Sequence, residues 1–150
     1  MRVLLLASAC LGLAACSPAA PADLTATLQA EPPGAGHELG GSIDFVETDG
    51  EAGLVTISGW HMLTPKAPAQ ELRVYAPGAL GVESVIRFPR PDVVSAVGNN
   101  DLKDAGYRIV LRIEPGTELS ALCVSMTDSR YGGRIMNRHS PDQPRCPSVG

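Results

Sequence analysis

The sequence predicts an all-β protein, an antiparallel β-sandwich of about seven short strands with one short helical turn near residues 91–97. Three observations carry this. Apolar residues recur at a period of two in short runs. Clusters of Gly, Pro, Asn and Asp separate those runs: Thr48-Asp49-Gly50, Pro65 to Pro68, Pro77-Gly78, Asn99-Asn100-Asp101 and Pro115-Gly116. Helical spacing appears in one proline-led stretch, where Pro91 suits a first helical position and Val93, Val94 and Val97 share a face.

In chain order, residues 1–15 come first. Arg2 is followed by an apolar run over residues 3–13. A membrane-spanning helix needs about 20 apolar residues, so this run predicts a signal peptide and not a span. It ends in Leu13-Ala14-Ala15-Cys16. That tetrad resembles the lipobox of exported bacterial lipoproteins; Cys10 matches the pattern less well, with Ala7 where the motif has Leu. The resemblance implies a diacylglycerol thioether on Cys16, cleavage before it, and an acylated N-terminus. Each buried methylene contributes about 0.8 kcal/mol, so two or more chains hold a protein firmly. Ser17 in place of Asp implies, by likeness to enterobacterial sorting, the periplasmic face of the outer membrane.

Residues 16–41 carry Pro18, Pro21, Pro32 and Pro33, then Gly34, Gly36, Gly40 and Gly41. This composition predicts a flexible tether, with a brief helical turn expected near Leu24 to Ala30. The sandwich is expected over residues 42–137. Its strands are Ile43 and Phe45 alternating with Ser42 and Asp44; Val55, Ile57 and Gly59; Leu72 to Tyr75; Val82, Ser84, Ile86 and Phe88 on one side; Tyr107, Ile109, Leu111 and Ile113 opposite Arg108 and Arg112; Leu122, Val124 and Met126; and a last strand over Gly133 to Asn137. Residues 138–150 form a tail.

Gly41-Ser42-Ile43-Asp44, Ile57-Ser58-Gly59-Trp60, Arg90-Pro91-Asp92-Val93 and Ala105-Gly106-Tyr107 follow one another in this chain. The ordered set, over about residues 41–136, resembles small immunoglobulin-like β-sandwich modules of bacterial envelope proteins, often appended to surface or glycan-related proteins. The likeness implies the immunoglobulin-like form of the sandwich. It brings no catalytic residues with it.

The formal net charge is −4; loss of Arg2 with the leader makes it about −5. Mild acidity argues against nucleic-acid binding and favours solubility. With Cys10 removed and Cys16 lipidated, Cys123 and Cys146 remain. In an oxidising compartment such a pair predicts a disulfide, tying the tail back to the domain. A metal or redox pair is the alternative, but the spacing is not Cys-x-x-Cys and no histidine is placed to complete a zinc site.

No catalytic residues and no cofactor are read from the chain. Gly-x-Ser-x-Gly is absent, and His37, His61 and His139 are scattered. Asp44, Glu47, Asp49 and Glu51 offer hard oxygen ligands for calcium, though not at EF-hand spacing. Arg130, Tyr131 and Arg134, beside Gly132 and Gly133, are candidate ligand-binding residues, because guanidinium forks pair with planar anions; a plain hairpin turn is the alternative. Trp60 is expected in the core. Together these point to a lipid-anchored, non-catalytic envelope module that meets an envelope protein or glycan. A small-molecule or metal-binding lipoprotein is the second reading.

Overall fold

The computed structural model describes residues 24–62, 70–128, 132–138 and 144–147. The Leu13-Ala14-Ala15-Cys16 tetrad, Arg130 and Tyr131 lie outside them. Eight strands form: β1 (Leu24–Gln29), β2 (Glu38–Asp49), β3 (Leu54–His61), β4 (Gln70–Tyr75), β5 (Ala79–Phe88), β6 (Gly106–Ile113), β7 (Cys123–Asp128) and β8 (Gly132–Arg138). One helix, α1 (Pro91–Val97), and a 3-10 turn (Asn100–Leu102) stand between β5 and β6.

The all-β expectation is met, but all eight strands share one ladder instead of forming two sheets. Their order is β1-β4-β7-β8-β2-β3-β6-β5, and the end strands β1 and β5 lie side by side, so the sheet is nearly barrel-shaped. Near-closure shields the two edges from other chains. The ladder is also not wholly antiparallel, since β1 pairs parallel with β4 and β2 parallel with β8.

Strand β2 is what makes the sheet continuous. Its first half pairs with β8 and most of its length with β3, with register shifts at Leu39/Gly41 and Ile43/Phe45. Bulges bend and twist a strand, which lets one strand serve two halves of a curved sheet.

Two of these strands correct the tether boundary. Leu24–Gln29 is a strand and not a helical turn, and β2 begins at Glu38 and not at residue 42. Thr25, Thr27 and Gln29 alternate with Leu24, Ala26 and Leu28, which pack against the core. Gly40 and Gly41 mark close packing and not looseness. The Arg134 side chain lies over Gly40, 2.5 Å from where a Cβ would stand, and the Trp60 carbonyl fills the same place at Gly41.

The core occupies the inside of the curled sheet. Tyr107, Ile109, Leu111 and Ile113 of β6 are buried while Arg108 and Arg112 face out, as the period of two predicts. Gly59 leaves room for the Tyr107 ring, whose hydroxyl would stand 2.6 Å from a Cβ there. That hydroxyl donates to the Ser42 carbonyl at 3.1 Å. Burial pushes its pKa well above the ordinary tyrosine value, so it remains a neutral donor.

Cys123 and Cys146 form a disulfide with Cα atoms 4.6 Å apart. The Leu122 N–H also donates to the Arg145 carbonyl at 3.2 Å. The tail segment is thus tied to the start of β7.

Helix α1 matches the expected turn. Pro91 is in its first turn, and Gly98, at φ 73°, ends it in the left-handed region that glycine enters without steric cost. Val93, Leu102 and Ala105 form a second small core, against which Trp60 packs. Trp60 is half-buried under this cap and not in the main core.

Candidate functional site

Two bulges shape the outer face of β2, β3, β6 and β5. Strict alternation places Ile43 and Phe45 on one side. The register shift between them instead points Ile43 and Val46 inward and leaves Phe45 63% exposed. The same happens in β5. The shift between Val82 and Ser84 turns Val82 and Val85 to the core and leaves Ile86 48% exposed. One extra residue flips every later side chain to the other face. These two positions therefore depart from the expected core stripes.

The flipped residues meet on one cross-strand row. Phe45 pairs with Ser58, Ser58 with Arg108, and Arg108 with Ile86. The neighbouring row runs Glu47, Thr56, Val110, Ser84. Beside the first row lies an open cleft of about 630 Å³, lined by its Phe45, Ser58 and Arg108, by Glu47 and Thr56 of the second row, and by Asp44, Phe88, Arg90 and Asp92; Ile86 stands outside it. Both phenylalanines of the chain border it. Phe88 lies over Gly106, and the Arg108 guanidinium sits 5.8 Å from the Phe88 ring centroid, a cation–π distance. The Arg108 Nε donates to Ser58 Oγ at 3.2 Å, and Arg108 lines the cleft.

An ion-pair frame closes one end. Arg90, just before α1, donates through Nη1 to Asp44 Oδ2 at 2.6 Å, and through Nε and Nη2 to the two Asp92 oxygens at 2.8 and 2.6 Å. Its backbone N–H donates to the Lys103 carbonyl at 2.7 Å. Asp44, Arg90 and Asp92 come from two of the motif segments singled out in the sequence; the fold brings them together across 46 residues. Arg90 holds the Asp92 carboxyl down to about 2, chiefly by hydrogen bonding, against burial. The Arg90 guanidinium is itself raised, first by its Asp92 hydrogen bonds, opposed by burial, then by Asp44.

A second polar cluster lies inside the sheet's end. His61 is buried, and its ring stacks on Tyr107 at 6.4 Å between centroids. The Arg87 Nη1 lies 3.4 Å from His61 Nε2 and donates to the Asp104 carbonyl at 3.1 Å; Nη2 donates to Gln70 Oε1 at 2.6 Å. Burial lowers the Arg87 pKa, with Asp104 opposing. The cluster ties Asp104, in the segment that joins β5 to β6, to Gln70 at the start of β4.

The other residues singled out from sequence divide as follows. Arg134 pairs with Glu38 at 2.6 Å and is 19% exposed, so its guanidinium serves packing between β2 and β8. Asp49 Oδ1 accepts from the Ala52 N–H at 2.9 Å and shapes the β2–β3 turn. Asp44 is engaged by Arg90, away from that turn. Among the described residues no group of three or more His, Cys, Asp or Glu side chains is placed to hold a metal ion. Sequence reasoning did not single out Phe45, Ile86 or Arg108 as site residues. Nothing in a strict alternation marks a bulge; the one hint is Asp44 wedged inside an apolar run.

The chain matches no protein-family model, no curated protein and no solved structure.

Proposed function

We propose that this protein is a lipid-anchored, non-catalytic module of the bacterial cell envelope. In this reading Cys16 carries the acyl chains, the periplasmic face of the outer membrane is the address, and the body recognises an envelope component through the cleft beside Phe45. The observation that supports it is the outer face itself. Two bulges place Phe45 and Ile86 in solvent on a row otherwise made of serine and arginine. Exposed apolar side chains grouped with convergent polar ones mark binding surfaces. The likeness to immunoglobulin-like envelope modules belongs to the same reading, with the curled sheet standing where two packed sheets were expected.

The test has two arms. Cys16→Ser is expected to abolish acyl labelling and release the protein from membranes. A photoreactive residue replacing Ile86 in intact cells is expected to capture an envelope component, whereas one replacing Thr117 on the far loop is not. Retention of Cys16→Ser on salt-washed membranes refutes the address. Equal capture from both positions refutes the face.

A further inference from the structure

We infer that the Phe45–Ser58–Arg108 row is a subsite for a neutral saccharide, with a pyranose ring lying against Phe45. The inference rests on the binding-module reading above and names its ligand class.

The row has the shape of a trough. Neighbouring strands lie about 4.8 Å apart, so Phe45 and Arg108 stand roughly 10 Å apart with Ser58 between them. Ser58 is small and 9% exposed, so it forms a floor, with the phenyl ring and the guanidinium as walls. A pyranose has an apolar C–H face and an equatorial rim of hydroxyls. The Phe45 ring offers a flat apolar surface to the first. Arg108 offers donors to the second, held in place by Phe88 and by Ser58 Oγ. Glu47 on the adjacent row, across from Thr56, offers acceptors.

Charge disfavours an anionic ligand. Three carboxylates (Asp44, Glu47 and Asp92) and two guanidiniums (Arg90 and Arg108) border the cleft. Arg90 offsets one of the two carboxylates it binds, Asp44 and Asp92, so with Glu47 and Arg108 the border carries a net charge of −1. An anion is drawn to Arg108 but repelled by Glu47, and a cation the reverse. A polyhydroxyl ligand uses both groups as hydrogen-bond partners and needs no net charge. The cleft, at about 630 Å³, lies inside the usual range for ligand sites and is open along the sheet, as a chain of sugars requires. Envelope glycan strands and the oligosaccharides of surface lipids both present such rings.

The experiment uses the full mature lipidated protein in detergent micelles, with fluorescence anisotropy of end-labelled sugars. The probes are chitotetraose, cellotetraose, tetragalacturonate and a neutral O-chain oligosaccharide from lipopolysaccharide. Saturable binding of a neutral probe is expected, nearly unchanged from low to high salt. Phe45→Ala is expected to weaken it about tenfold, the upper range for a lost ring contact. Glu47→Gln and Arg108→Gln are expected to weaken it several-fold, and Leu39→Ala, equally exposed elsewhere on β2, not at all. Preference between the chitotetraose and O-chain arms separates the two sources. Binding of tetragalacturonate alone, or a steep salt dependence, overturns the neutral assignment. Full binding by Phe45→Ala overturns the site. Failure of every sugar to bind, while the Ile86 position still captures a protein in cells, overturns the saccharide inference and leaves the envelope-module reading standing.

Discussion

Arg90 makes two ion pairs of equal length and very different surroundings, and their separation by a double-mutant cycle is the sharpest test of the structure. Both the Asp44 and the Asp92 contacts reach 2.6 Å. Arg90 and Asp44 have side chains 15% and 18% exposed, whereas the Asp92 side chain is 62% exposed. Water screens the Asp92 pair, so it contributes about 1 kcal/mol or less despite two-pronged geometry. The Asp44 contact is a charge-assisted hydrogen bond largely out of water, for which about 1.5–3 kcal/mol is expected. Removal of Arg90 also strands a mostly buried carboxylate. The hydrogen bonds that dominate the Arg90 shift come from Asp92, but exposure and not shift decides the stability here. Urea denaturation of the single and double alanine variants at positions 90, 44 and 92, at neutral pH, gives both couplings. The expectation is about 2 kcal/mol for Arg90 with Asp44 and below about 1 kcal/mol for Arg90 with Asp92. A larger coupling to Asp92 refutes the argument from burial.

Four further outcomes follow from the same structure. The disulfide closes a loop of 23 residues; in the chain-entropy model it stabilises by about 3 kcal/mol, so reduction should lower the melting temperature by roughly 10 °C, and coincident melts with and without reductant would count against it. Gly59→Ala drives a methyl group into the Ser42 carbonyl and to 2.6 Å from the Tyr107 hydroxyl, a clash expected to destabilise by about 2 kcal/mol or more, read from the urea midpoint. Phe45→Ala, at 63% exposed, should change stability by less than about 0.5 kcal/mol, whereas Ile57→Ala in the core should cost about 2–5 kcal/mol; similar losses at the two sites would place Phe45 inside. Asp92 ionises near 2 in the fold against an ordinary 3.8. Its contribution is therefore complete above about pH 4 and lost as the pH falls through 2, by less than about 1 kcal/mol given its exposure, and acid titration of Asp92→Asn should show a correspondingly shallower decline.

Much of the fold was legible along the chain, for local reasons. The β6 stripe Tyr107-Ile109-Leu111-Ile113 is buried as its spacing demands, Pro91 begins a helical turn, and Cys123 meets Cys146. Strand β1 was missed: Leu24, Ala26 and Leu28 alternate with polar residues, but the prolines around them led to a tether with a helical turn. The motif segments at residues 41–44 and 90–93 were visible as words, but nothing local says that Asp44 and Arg90 touch.

By itself, the sequence determined the class of the elements, because period and turn chemistry act within a few residues. It also carries Leu13-Ala14-Ala15-Cys16, the tetrad on which the proposed lipid anchor rests and which needs no fold to be read. Only the tertiary structure decided the single curled sheet, because parallel pairing of β1 with β4 and of β2 with β8 depends on partners distant in the chain. It alone decided the cleft as well. A bulge is set by the competition between a strand and its neighbour over register, and that competition turned Phe45 and Ile86 away from the core and onto one row.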